Sequence, residues 1–326
     1  MSIQRVTIPA AMALWAAASA FAADQGLLKL VMPDAKVVLG LEVDQAKASP
    51  FGQYLLSQVP SGEQGLQKLM AETGFNPEKN VSEILIASNG PQQSASRGLI
   101  LARGSFNVAK IETAAQANGG TVTSFSGVDV ITHSHEKQVR ALAFPNDSTA
   151  IAGDLAAVQN AIGQLHGAPG LSQRMQNTVQ TASAGGDFWF VTLAPLADFS
   201  AVVPDQSMGN AMKGSNLFQT VQQASGGVKF GDPVKVSGQA LTSTAQDAQS
   251  LVDAIRFIAG LMTMNRQKDP AAGMMASLVD LMQLQATANT MTFSISVPEK
   301  QLESLLATVR TQHQEGVPPA GVHPNQ

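Results

Sequence analysis

From Val37 the chain runs through short segments whose apolar and polar positions switch between two periods. Repeats of two mark strands and repeats near 3.6 mark helices. "VVLGLEV" (Val37–Val43), "NVSEILIAS" (Asn80–Ser88) and "GLILARG" (Gly98–Gly104) read as strands. Four more follow in quick succession at Thr121–Phe125, Val128–Ser134, Val139–Phe144 and Thr149–Ala152. Helices are predicted between them. In "SPFGQYLLSQV", Ser49 is the cap and Pro50 takes the first helical position, where its missing N–H costs nothing. A second helix covers Gly65 to Thr73 and stops at Gly74. "FNVAKIETAAQANGG" is capped by Asn107, with Val108 and Ile111 opening its apolar stripe. Asp154 caps "LAAVQNAIGQL", which ends near His166 and Gly167.

The pattern breaks over Gly167 to Asp187, and then the order of elements begins again. "FWFVTLAPL" resembles the opening strand. "LFQTVQQASGGVKFGDPVKVSGQAL" parallels "LQKLMAETGFNPEKNVSEILIAS" as helix, glycine, Pro-containing loop and strand. "TMTFSISVPEKQLESLLATV" parallels "STAIAGDLAAVQNAIGQL" as a strand running into a helix. The expectation is an α+β protein of two related halves, each an antiparallel sheet with helices packed on one face. The halves are placed at residues 27–170 and 187–314, with a linker at 171–186 and a disordered tail at 315–326 rich in proline.

Composition sharpens this picture. Hydrophobic residues make up 44% of the 326 and charged ones only 13%, about half the usual share, so disorder through charge excess is excluded. "MSIQR" followed by "VTIPAAMALWAAASAFA" reads as a secretory signal peptide at residues 1–22, with Ala20 and Ala22 as the small residues before the cut. A retained membrane anchor is the alternative reading, although Pro9 interrupts the run. The protein is therefore expected to be exported, periplasmic or extracellular, with no membrane span after cleavage. The scattered charges give no basic patch for nucleic acid. With no cysteine, disulfides and thiolate metal sites are excluded.

Candidate chemistry is sparse, and no cofactor is expected. His133 and His135 stand two apart in a strand, so both side chains point to one face and could share a metal ion. A two-residue turn at Glu136-Lys137 would instead pair His135 with Gln138 and His133 with Arg140, setting a fixed positive charge beside that site. "GNAMKGSN" has phosphate-loop glycines at Gly209 and Gly214, but its lysine precedes the second glycine. No nucleophile elbow or HExxH pattern occurs. Glu42, Asp44, Glu78 and Glu83 form no motif and read as solvated surface positions. "DFWF" reads as core strand rather than as a sugar platform. Met262, Met264, Met274, Met275 and Met282 mark two predicted helices whose methionines either fill an ordinary core or line a groove for an apolar ligand.

Two phrases carry a resemblance. In "TGFNPEKNVSEILIAS", Gly74, Phe75, Pro77 and Val81 stand in a G-F-x-P-x-x-D-V pattern, with Asn80 where Asp is usual. In "LARGSFNVAKIETAA", Arg103, Gly104, Phe106, Lys110 and Ile111 stand in R-G-x-F-x-x-x-K-I. Residues 37–165 thereby resemble a loose group of exported bacterial proteins, typical of acidobacteria, which brings no known activity or site residues with it. The functional expectation is an exported non-enzymatic protein with a binding or cell-envelope structural role, its partner an unknown protein. A periplasmic carrier of a lipid or other apolar ligand is the alternative, and an enzyme with a site outside known motifs is the third.

Overall fold

The computed structural model describes residues 23–57, 64–90, 98–135, 138–167, 170–195, 219–264, 278 and 281–304. The expected leader at 1–22, Glu136 and Lys137 of the expected turn, "GNAMKGSN", Met274, Met275 and the expected tail lie outside the described residues, as do the side chains of His135, Met262 and Met264.

In chain order the first half contains α1 (Gln25–Leu28), β1 (Val37–Glu42), α2 (Val43–Ala48), α3 (Pro50–Ser57), α4 (Gln64–Thr73), α5 (Pro77–Asn80), β2 (Val81–Ser88) and β3 (Gly98–Gly104). It continues with α6 (Val108–Ala117), β4 (Thr121–Phe125), β5 (Val128–His135), β6 (Gln138–Asn146), β7 (Thr149–Asp154) and α7 (Leu155–Leu165). After α8 (Gln173–Gly185) come β8 (Phe188–Thr192), β9 (Val221–Lys229), β10 (Val234–Thr242), α9 (Ala245–Met264), β11 (Gln283–Thr287) and β12 (Thr290–Val297). Local chemistry sets several of these limits. Asn107 caps α6 by accepting from the Lys110 N–H at 3.2 Å. The Ser49 hydroxyl accepts from the Gly52 N–H at 3.2 Å at the start of α3. Gly127, at φ 79°, completes the tight turn between β4 and β5.

The strands form a twelve-stranded sheet in the order β11-β12-β10-β9-β8-β1-β2-β3-β7-β6-β5-β4, with antiparallel pairing throughout. The α+β class holds, but the two expected sheets are one. β1 and β8 join them in the middle, Val38 opposite Val191 and Gly40 opposite Trp189. Helices also cover both faces rather than one. α1, α7 and α8 pack on one face over Leu85, Leu101, Ile151, Trp189 and Val191. On the opposite face α6 packs over Ile131 and Ala150, and α9 packs over Ala224, Ala240 and Met291. The central strands "ILIAS" and "GLILA" are apolar on both sides of the pleat: Leu85 and Leu101 are buried on the α1 face, while on the other face Ile84 and Ala102 are partly covered and Ile86 and Ile100 stay 43% and 47% exposed.

Two further expectations change. The predicted linker carries α8, capped by the Ser172 hydroxyl accepting from the Met175 N–H, with Met175 and Val179 fully buried one turn apart. Most of its other positions are polar, which hides the stripe in a hydropathy reading. "VQQAS", expected in a helix stopped by the glycines that follow, is instead part of strand β9, which runs on through those glycines. Gly226 and Gly227 lie opposite Phe190 and Trp189 of β8, where any side chain would collide with neighbouring backbone. These glycines serve close strand packing rather than a helix stop.

Candidate functional site

A row of polar residues crosses one end of the sheet on the α1 side. Cα register sets Glu42 of β1 opposite Glu83 of β2, Glu83 opposite Arg103 of β3, and Arg103 opposite Thr149 of β7. Glu83 is only 6% exposed. Both its carboxylate oxygens accept the backbone N–H of Asp24, at 3.0 and 3.3 Å. Asp24 is held in turn by a two-point contact from Arg103, Nε to Oδ2 at 3.0 Å and Nη2 to Oδ1 at 2.7 Å. The third guanidinium nitrogen donates to the Thr149 hydroxyl at 2.6 Å. Asp24 Oδ1 also accepts the Leu27 N–H at 2.9 Å and so caps α1. Beyond Glu42, whose N–H donates to the Asp187 carbonyl at 2.8 Å, the buried Asp187 carboxylate takes Lys229 and the Phe230 N–H.

This placement separates the carboxyls electrostatically. Burial pushes Glu83 up to about 7, with the charges of Glu42 and Asp24 adding to it. Burial raises Glu42 to about 6, helped by Asp187, Asp44 and Asp24. Burial acts on Asp24 too, but the Arg103 contacts and the Leu27 N–H outweigh it and hold that carboxyl below its ordinary value. Two like charges face each other across β1 and β2, and among the described residues neither forms an ion pair. Such pairs are able to divide acid and base roles when a substrate reaches them.

A second feature lies on the same side of the sheet. α1, α7 and α8 enclose a crevice of about 660 Å³. Its walls carry carboxamides from all three helices, Gln25, Gln164, Gln173, Gln176, Asn177 and Gln180, with Leu28, Leu165 and Leu171 between them and Lys29 at one side. Gln176 donates to the Leu171 carbonyl at 2.7 Å, and Gln173 to Asn177 at 2.8 Å. A shallower crevice of about 430 Å³ lies between α4 and α6. Neither touches Glu42 or Glu83.

The residues singled out in the sequence fall elsewhere. His133 is exposed and opposite Arg140, and His135 is opposite Gln138, the register a two-residue turn requires. Arg140 pairs with Asp154 at 3.1 Å. No group of three or more potential metal ligands occurs among the described residues. Met262 and Met264 lie on the last turn of α9, and Met282 is half-buried just before β11. Trp189 is 1% exposed in the core. Glu83 is a correction: it reads as surface but is buried. The signal was available, since Glu83, Leu85 and Ala87 alternate on one face and place the carboxylate inward.

No protein-family model matches the chain, and no curated protein sequence matches it. Among solved structures, the fold is similar to that of TP0453 in crystal form III, with a TM-score of 0.51 and 9% identity over 86% of this chain and 97% of that one. Crystal form I gives a TM-score of 0.50 and 10% identity over 88% and 98%. At such identity the likeness is one of fold: helices around a large antiparallel sheet.

Proposed function

We propose that the protein is an exported, non-enzymatic binding protein of the bacterial envelope, and that the amide-lined crevice receives an extended, uncharged polypeptide segment. The observation that carries this is the wall chemistry. A carboxamide has two donors and an acceptor; Gln25, Gln164, Gln173 and Gln176 each give one hydrogen bond to the chain itself, and the capacity left along the walls suits the alternating N–H and C=O groups of an extended backbone. A glycan would favour exposed aromatic platforms, and among the described residues no aromatic one lines the crevice. The volume lies within the range of ligand sites generally. Export rests on the leader-like N-terminus, and among the described residues no helix is long and apolar enough to cross a membrane. An enzymatic reading would draw on Glu42 and Glu83, but Glu83 is buried and engaged with the chain's own Asp24.

Fluorescence anisotropy with a panel of uncharged peptides tests the proposal. Saturable binding that weakens roughly 30-fold in a Gln176→Ala/Gln180→Ala variant is expected, since two lost hydrogen bonds of about 1 kcal/mol each sum to about 2 kcal/mol. Absence of binding across the panel, or binding indifferent to both glutamines, counts against it. Turnover of any substrate by the purified protein, lost in Glu83→Gln, would move the enzymatic reading to first place. A second reading, an apolar ligand, is favoured by the three leucines in the same crevice. Native mass spectrometry from the producing cells separates the two.

We also infer that the halves descend from one duplicated unit. Sheet order supports this: outward from the β1–β8 pair, β1-β2-β3 and β8-β9-β10 are both meanders. Each is followed by a helix and then by antiparallel strands, four in the first half (β4–β7) and two in the second (β11–β12), whose final strand, β7 or β12, returns beside the third strand of its meander.

A further inference from the structure

We infer that hydrolysis of the Ala22–Ala23 bond sets the new α-ammonium of Ala23 against the Glu83–Glu42 pair, so that leader removal itself supplies a counter-charge to the acidic row and fastens α1 to the sheet. This rests on the exported reading above. Two independent observations point to neighbouring backbone nitrogens. Ala20-Phe21-Ala22 presents small residues where a signal peptidase requires them, which makes Ala23 the first residue of the processed chain. Independently of that pattern, the backbone N–H of Asp24 lies 3.0 and 3.3 Å from the two Glu83 oxygens, and Ala23 is 2% exposed. Consecutive backbone nitrogens are about 3–4 Å apart. The Ala23 nitrogen is thus one peptide unit from an atom already bonded to Glu83.

Charge accounting gives the reason for a cation at this point. The groups facing the pair are Asp24 from α1, Asp44 from α2, Arg103 from β3, and Asp187 with Lys229 beyond β1. Arg103 is committed to Asp24, and Lys229 to Asp187. Glu42 and Glu83 are left facing each other, and the pair carries a raised affinity for protons. An intact peptide bond at Ala23 offers one neutral N–H. After cleavage the same nitrogen carries a positive charge at neutral pH and hydrogen bonds that a carboxylate accepts strongly. The step balances simply. Water adds across the amide, the leader leaves with the Ala22 carboxylate, and Ala23 nitrogen takes up the protons that make it an ammonium.

The test compares four forms of the chain: one beginning at Ala23 with a free amine, the same chain with its α-amine acetylated, and each of these two in a Glu83→Gln background. The free amine is expected to raise Tm at pH 7 by roughly 2–4 °C over the acetylated form. That difference should collapse in Glu83→Gln. Carboxyl-carbon NMR is expected to show Glu83 titrating about one pH unit lower with the free amine than with the acetylated one. Equal Tm and equal Glu83 titration in the two forms would overturn the proposal, as would an acetylation effect that persists in Glu83→Gln. If Glu83→Gln does not fold, the Glu83 titration in the native sequence decides alone. Intact mass of protein from the producing cells reports on export separately: a chain beginning at Ala23 supports the processing step, and any other start overturns it.

Discussion

Trp189 is buried between two glycines that face it across neighbouring strands, Gly40 of β1 and Gly227 of β9. A Cβ built at Gly40 would fall on the indole ring itself. Gly40→Ala is therefore expected to destabilise by about 1–3 kcal/mol through overpacking. Because the only other tryptophan is Trp15, a red shift of Trp emission in a chain made to begin at Ala23 would report the displaced ring. An unchanged Tm and spectrum would mean that the indole moves aside without cost. At this scale the sequence is informative about some residues and silent about others. The alternation in "VSEILIAS" assigns Glu83 to the core face. Nothing local reveals that Arg103, 20 residues on, and Asp24, 59 residues back, complete its surroundings.

Among elements, α3 shows how distant segments complete a local one. Its N-terminus is capped by Glu299 from beyond β12, which accepts from the Phe51 N–H and, at 3.4 Å, from the Ser49 hydroxyl. The Phe51 ring meets Phe230 edge-on, with centroids 6.1 Å apart. A carboxylate at a helix N-terminus is favoured by both hydrogen bonding and the helix dipole. Glu299→Ala is expected to cost about 1 kcal/mol, and a double-mutant cycle with Phe230→Leu would measure how far cap and ring act together. α6, with its Asn107 cap, and α7, with a clear stripe, follow from sequence within a residue or two, but Asp154 does not cap α7 as expected: its carboxylate is drawn instead to Arg140 and the Gly98 N–H. α8 does not follow from sequence, because its two buried anchors stand among glutamines, serines and threonines whose polarity reads as a linker. β9 does not either, because glycines that permit strand contact also look like a helix stop.

For the whole molecule, the continuous sheet has a thermodynamic consequence. β1 and β8 share five paired positions in the middle of the sheet, from Val37 opposite Thr192 to Leu41 opposite Phe188. The two halves are expected to unfold together, giving one calorimetric transition whose measured and van't Hoff enthalpies agree. Two separated transitions would show that the central pairing couples them weakly. The acidic row adds a pH dependence. In the chain with the Ala22–Ala23 bond intact, the folded state holds Glu83 near 7 and Glu42 near 6, above the ordinary carboxyl value of 4.5. Between about pH 4.5 and 7 the native state then binds more protons than the unfolded one, so these two groups make stability fall as pH rises. Tm measured across that window should decline, and the decline should flatten in Glu83→Gln.

The sequence by itself determined the α+β class, most strand and helix limits, the hairpin register at His133 and Arg140, and a leader-like N-terminus. These are recorded in short-range signals: period, caps, turn residues and local composition. Only the tertiary structure decided that the strands form one sheet covered on both faces, and that Glu42, Glu83, Arg103 and Asp24 meet beneath α1. The reason is physical. Which edge strands pair, and which inward carboxylate meets which cation, depends on contacts across tens to hundreds of residues, where periodicity along the chain carries no information.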